Sequence, residues 1–271
     1  MGFHERLDVA WSRSGSMLCI GLDPDPARLP IALDGVPDAI ERFCVAIVDA
    51  TADLVCAFKP QIAHFAAQRA EHQLERVCQH IREHHPDVVL VLDAKRGDVS
   101  STAEFYASEA FGRYGADAVT VNPYLGTDAA EPFLRRGGVL ALCHTSNAGA
   151  GELQDLLVDG EPLYLRVAEM VSERWSERGD CGLVVGATYA EQLAKVRAVV
   201  GDLPILLPGV GVQGGDIAAS VRAGSTGSGT GLIASSSREI LYASSSDDFA
   251  EAARAAAERT RDTINAAGVR V

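Results

Sequence analysis

Two carboxylates and an amine stand close together in Asp93-Ala94-Lys95-Arg96-Gly97-Asp98, residue types that at this spacing can hold and deliver a proton. They follow Val88-Val89-Leu90-Val91-Leu92, five apolar residues that read as a strand buried on both faces, the habit of a parallel sheet covered by helices. Side chains alternate along a strand, so Asp93 and Lys95 are expected on one face, with Asp98 on a turn loosened by Gly97. Taken alone, D-x-K-x-x-D is more often a salt bridge beside a helix-capping aspartate than a catalytic group. The rest of the chain shifts that weighing.

Other apolar runs also end in polar residues. The first ends in Asp23, followed by Pro24-Asp25-Pro26; the second in Lys59 within Phe58-Lys59-Pro60-Gln61; later ones in Asn122 and in His144-Thr145-Ser146-Asn147. Each polar end alone suits a cap or a turn. A lysine at a buried strand end is different, because its ammonium must be paired or reach water, and lysines and aspartates converging on one mouth can form a paired array. After the seventh run comes Pro208-Gly209-Val210-Gly211-Val212-Gln213-Gly214-Gly215-Asp216, whose glycines let backbone N–H groups approach an anion just before a helix. After the eighth comes Ser235-Ser236-Ser237-Arg238, hydroxyls and a guanidinium suited to a phosphate dianion. A phosphorylated small substrate is expected.

The elements that must position these residues alternate. Strand-like runs fall at 17–22, 54–58, 88–92, 118–121, 139–143, 182–185, 204–207 and, weakly, 229–234. Helical periodicity falls between them at 37–51, 64–84, 102–114, 128–136, 162–178, 190–200, 215–223 and 246–267. Eight strands each followed by a helix, with no break in composition, predict an α/β fold in which residues 1–271 form a single (β/α)8 TIM barrel domain. An open doubly wound sheet would call for a G-x-G-x-x-G after the first strand, and none is there. In such barrels chemistry sits at the C-terminal strand ends and phosphate at the loops after strands seven and eight, where the polar residues lie. The long connection at 144–160 is expected to be either a mobile active-site loop or a passive insertion.

With 47% hydrophobic and 23% charged residues the chain can bury a large core, and a net charge of −13 with no Lys/Arg cluster argues against a nucleic-acid partner. Residues 1–16 lack the apolar core of a signal peptide and no run is long enough to span a bilayer, so no membrane association and a cytoplasmic location are expected. Six scattered cysteines without a C-x-x-C pair are expected to be buried thiols. The seven histidines form no metal motif, and His84-His85 before Pro86 looks like a solvated helix end.

Asp93 through Thr102, Asp-Ala-Lys-Arg-Gly-Asp-Val-Ser-Ser-Thr, resembles the signature of the orotidine 5′-phosphate decarboxylase family. Phe58-Lys59-Pro60-Gln61, His144-Thr145-Ser146-Asn147, the glycine-rich segment from Pro208 and Ser237-Arg238 resemble its longer bacterial and archaeal branch, in the right order from Leu18 to Ala267. The resemblance implies decarboxylation of orotidine 5′-monophosphate to uridine 5′-monophosphate by a homodimer with shared active sites, without cofactor or metal. It implies Lys95 as the proton donor to C6 of the pyrimidine, Asp93 against the substrate carboxylate, Lys59 bridging ribose and aspartate, and Asp98 entering the partner subunit's site. It further implies Asp23 and Thr102 on ribose hydroxyls, Ser146 on the base, and Gln213 and Arg238 on the phosphate. Two alternatives stand beside it. One is a Mg²⁺-dependent phosphosugar lyase or aldolase, against which Lys59 counts because a cation there would repel a metal. The other is a catalytically silent nucleotide-binding barrel.

Overall fold

The buried apolar runs pair with one another as parallel strands. In the computed structural model, which describes residues 1–211 and 217–268, eight of the described strands close a parallel barrel in the order β1-β10-β9-β8-β5-β4-β3-β2. These are β1 (Leu18–Leu22), β2 (Ala57–Pro60), β3 (Val89–Arg96), β4 (Ala118–Val121), β5 (Gly138–His144), β8 (Cys181–Val185), β9 (Ile205–Pro208) and β10 (Leu232–Ser236). A two-stranded antiparallel hairpin, β6 (Leu157–Val158) with β7 (Glu161–Pro162), stands outside the barrel. Every residue of β1, β8 and β10 is buried, because a strand covered on one face by helices and on the other by the barrel interior has no wet side.

The helices bury one stripe each. α2 (Ala39–Thr51) turns Ile40, Phe43, Cys44, Ile47 and Val48 inward, and α4 (Glu71–His84) turns Leu74, Val77, Cys78 and Ile81 inward. The helix expected over 64–84 is two, the short α3 (Ile62–Ala66) and α4, separated at Arg69, whose φ of 56° no helix accommodates. α5 (Ser100–Ser108) and α7 (Leu163–Met170) each pass into a π-helical turn, at Glu109–Arg113 and Val171–Trp175. The remaining helices are α6 (Thr127–Leu134), α8 (Ala190–Val200), α9 (Ile217–Gly224), the four-residue α10 (Arg238–Leu241) and α11 (Phe249–Ala267). All six cysteines are buried and unpaired, as their apolar settings lead one to expect.

One helix was absent from the sequence expectation. α1 (Phe3–Ser14) lies in the stretch read only as polar and charged, and it buries Phe3, Leu7, Ala10 and Trp11. The spacing of those four residues is helical, but charges between them mask it. The helix lies across the strand starts: Phe3 fills the space beside Gly138, Trp11 Nε1 donates to Leu232 O at 2.9 Å, and Arg13 reaches Val55 O at 3.0 Å. It thus closes the barrel at the end opposite the polar strand ends.

Candidate active site

Lys59 lies inside β2 rather than beyond it, since the strand runs on to Pro60 with Lys59 in register with Gly21. Its side chain is drawn into the barrel mouth, and only 4% of the residue stays exposed. An ammonium so buried needs an anion, and Asp93, 7% exposed within neighbouring β3, supplies it: Lys59 Nζ donates to Asp93 Oδ2 at 2.9 Å. Lys95 Nζ donates to the other oxygen, Oδ1, at 2.7 Å. One carboxylate thus holds two ammoniums.

Simple strand alternation is not what brings Lys95 there. Between Leu92 and Arg96 the register of β3 against β4 shifts, and Lys95 adopts a left-handed backbone with φ 47°. Such a conformation costs a non-glycine residue on the order of 1 kcal/mol or more, so something must hold it. Thr120 does: its hydroxyl oxygen accepts from the backbone N–H groups of Ala94 at 3.0 Å and Lys95 at 2.9 Å, and its own proton goes to Asp93 Oδ1 at 2.9 Å. The sequence reading missed Thr120. A lone threonine in Ala118-Val119-Thr120-Val121 reads as a β-former, and the available signal was its place opposite the charged end of the preceding strand.

Burial pushes the Asp93 carboxyl up, but the charges and hydrogen bonds of Lys59 and Lys95 outweigh it and hold the group well below the usual carboxylate range. Burial likewise disfavours charge on Lys59, and Asp93, then Asp23, more than restore it, so its pKa stands above the usual lysine value. Both are ionised across the neutral range. Lys95 stays open to solvent on about half of its side chain, and its one ammonium hydrogen bond among the described residues is to Asp93.

Asp23, Ser146 and Arg238 lie on or just after the C-terminal strand ends. Asp23 follows β1, where its Oδ1 is buried without a hydrogen-bond partner among the described residues. Its loop is fixed by Tyr242, whose hydroxyl donates to Asp23 O at 3.1 Å and accepts from Asp25 N at 2.7 Å. Ser146 is exposed on the loop after β5, folded so closely over the end of β8 that a Cβ at Gly186 would come within 2.9 Å of Ser146 N. Within the connection 144–160 Thr145 N donates to Gln154 Oε1 at 2.8 Å and His144 and Asp155 meet at 3.1 Å, and its β6 pairs with β7 just beyond it. Arg238 is exposed at the start of α10 and forms no ion pair among the described residues, close behind the buried Ser235 and Ser236. Gln213 lies outside the described residues. Asp98 and Thr102 are not joined to the Lys59–Asp93–Lys95 array within the chain: Asp98 Oδ1 accepts from Val99 N at 2.8 Å, and Thr102 is exposed on the first turn of α5.

A closed parallel barrel whose mouth carries a buried carboxylate between two ammoniums has the architecture of the (β/α)8 enzymes. The model of the orotidine 5′-phosphate decarboxylase / HUMPS family matches residues 16–256, and the chain belongs to this family. Curated relatives named orotidine 5′-phosphate decarboxylase from Azoarcus sp. strain BH72 and Ralstonia pickettii strain 12J are 60% and 61% identical to it over 268 and 267 residues, covering 98% of this chain and 99% and 98% of theirs. The solved structure of Leishmania donovani OMP decarboxylase superposes with a TM-score of 0.85 at 36% identity, over 99% of both chains.

Proposed function

We propose that this protein decarboxylates orotidine 5′-monophosphate to uridine 5′-monophosphate and carbon dioxide, the closing step of pyrimidine nucleotide synthesis. Identity near 60% over almost the whole length of curated decarboxylases supports the reaction. The observation that carries the mechanism is Asp93 holding the ammoniums of Lys59 and Lys95 at 2.9 and 2.7 Å.

In this reading the bond between C6 and the carboxylate carbon breaks, its electron pair stays on C6, and carbon dioxide leaves neutral. The pyrimidine delocalises that pair poorly, so a cation beside C6 is what the reaction needs. Lys95 stabilises the forming carbanion, gives it a proton, and is reprotonated from water. Asp93, ionised because two ammoniums hold it so, stands against the substrate carboxylate; their repulsion is relieved as carbon dioxide departs. Lys59 keeps Asp93 charged and reaches the ribose. The unpartnered Asp23 Oδ1 suits a ribose hydroxyl donor, with Thr102 taking another, Ser146 reading the base, and Gln213 and Arg238 clamping the phosphate.

The whole chain acts as one barrel domain, paired with a second copy whose Asp98 completes each site. Val99, Phe105, Tyr124 and Leu125, all exposed, frame the loops around Asp98 and give that pairing an apolar face. No cofactor is required, since the lysines supply the positive charge, and a cytoplasmic enzyme follows from the substrate.

Absorbance at the pyrimidine band during turnover of orotidine 5′-monophosphate tests the reading. Lys95→Ala is expected to lower kcat at least about 10³-fold while uridine 5′-monophosphate still binds, and a chelator is expected to leave the parent's rate unchanged. Turnover within tenfold of the parent removes Lys95 from the role; a chelator-sensitive rate restored by Mg²⁺ points instead to the metal-dependent lyase.

A further inference from the structure

At the other end of the barrel from the catalytic mouth, the last turns of α2 and α4 bring together three groups that the decarboxylation does not use. His80 Nε2 lies 2.7 Å and His85 Nε2 2.8 Å from the same oxygen, Oδ1 of Asp49. The expectation of a solvated helix end fits His84, which is exposed, but not His85, whose ring turns inward to Asp49. Residues 49, 80 and 85 are too far apart in sequence, and on too many elements, for a spacing motif to announce them.

Two imidazole nitrogens and a carboxylate oxygen, all within 4.8 Å of one another, are the donor set of a borderline divalent transition metal. Among the described residues this is the one such convergence. We propose that Asp49, His80 and His85 bind a zinc-class divalent cation that staples α2 to α4.

The donor atoms lie near a metal's ligand spacing without yet being at it. A tetrahedral zinc with arms of about 2.0–2.1 Å sets its ligand atoms about 3.3 Å apart, so Asp49 Oδ1 has to part from each nitrogen by about half an ångström, within the reach of side-chain torsions. The positions are partly prepared. His80 is held by His84, stacked on it with ring centroids 4.3 Å apart and planes at 21°. His85 is fixed just past the helix end, where its N–H donates to Ile81 O and its carbonyl accepts from Val88 N. The imidazoles are 21% exposed and the carboxylate 50%, so the metal's remaining positions face water, which suits an added ion better than one sealed in during folding. Nitrogen donors in the majority disfavour Mg²⁺ and Ca²⁺, which take oxygen. Strand starts in these barrels carry stability rather than chemistry, and a cation bridging two helices there adds to the native state alone.

The test uses the intact protein, freed of metal by a chelator and then dialysed against micromolar ZnCl₂. The parent is expected to take up one zinc per chain and to gain about 5 °C in Tm. His85→Asn and the double variant His80→Asn/His85→Asn, each compared with and without zinc, are expected to lose both responses, whatever their own stability. Mg²⁺ at the same concentration should do neither. Because a variant could fail to fold, the ring resonances of the unmutated protein provide a second reading: zinc should move those of His80 and His85 and leave those of His144, at the C-terminal end of β5, in place. No stoichiometric uptake, uptake retained in the double variant, or zinc bound while the His80 and His85 resonances stand still would each overturn the assignment.

Discussion

Asp93 accepts hydrogen bonds from Lys59, Lys95 and Thr120, and each donor depends on it differently. Among the described residues Lys59 has no other anion at hydrogen-bond distance, so Asp93→Asn strands a buried ammonium, which should cost about 3–5 kcal/mol of folding stability. The cost should vary with pH in a defined direction. Against the burial that opposes it, the lysines depress the folded-state pKa of Asp93, so its contribution is fully present above the ordinary carboxylate pKa of about 4 and is lost as pH falls through the lower folded value. The raised pKa of Lys59 sets the other limit, with its contribution full below the ordinary lysine pKa of about 10 and lost as pH rises through the higher folded value. Denaturant unfolding of parent and Asp93→Asn should give a difference that is flat from about pH 5 to 9 and shrinks on acidification below about 4. A difference that grows towards acid would mean that Asp93 is not held ionised by its neighbours. At this scale the sequence was informative where charge is conspicuous: Asp93, Lys95 and Lys59 stand out because apolar strands end in them. Thr120 was illegible, because a hydroxyl in a strand has no signature until its partners on the next strand are known.

The elements place those residues through departures from regular geometry. β3 overruns its apolar part into Asp93-Ala94-Lys95-Arg96, and the register shift against β4 with the left-handed Lys95 re-aims the amine across the mouth. Hydrophobic periodicity reports the regular portion of a strand and is silent about such bends. It was silent for a different reason over α1, where interleaved charges conceal Phe3, Leu7, Ala10 and Trp11. That helix offers a prediction at its own scale. Trp11 is nearly buried and its indole N–H satisfies Leu232 O, so Trp11→Ala opens a cavity under the barrel and leaves a carbonyl unpaired. A loss of about 3–5 kcal/mol is expected, seen as a lower Tm, with kcat and KM unchanged at temperatures where the variant stays folded. The separation follows from position, because α1 touches the strand starts and the proposed site lies towards the strand ends. A large fall in kcat without loss of stability would place α1 in the catalytic machinery instead.

At the scale of the whole molecule, the alternation of strand and helix made the barrel legible, since eight β/α units allow few other closures. What a single chain leaves open is Asp98, half-buried and bonded only to the next residue's N–H, with no cation beside it among the described residues. If each site takes Lys95 from one chain and Asp98 from the other, damage to the two residues must be separable between subunits. Lys95→Ala and Asp98→Asn proteins, each expected to be nearly inactive, are mixed, dissociated and reassociated. A mixed dimer then carries one site with both lesions and one with neither. Random pairing makes half of all dimers mixed, so turnover should recover to about a quarter of the parent's per site, as two-fold symmetry requires. If Asp98 serves its own chain, every site keeps one lesion and mixing restores nothing. Absence of recovery, with subunit exchange confirmed by mass, would leave Asp98 as the local cap of the turn before α5 and the site as the property of one chain.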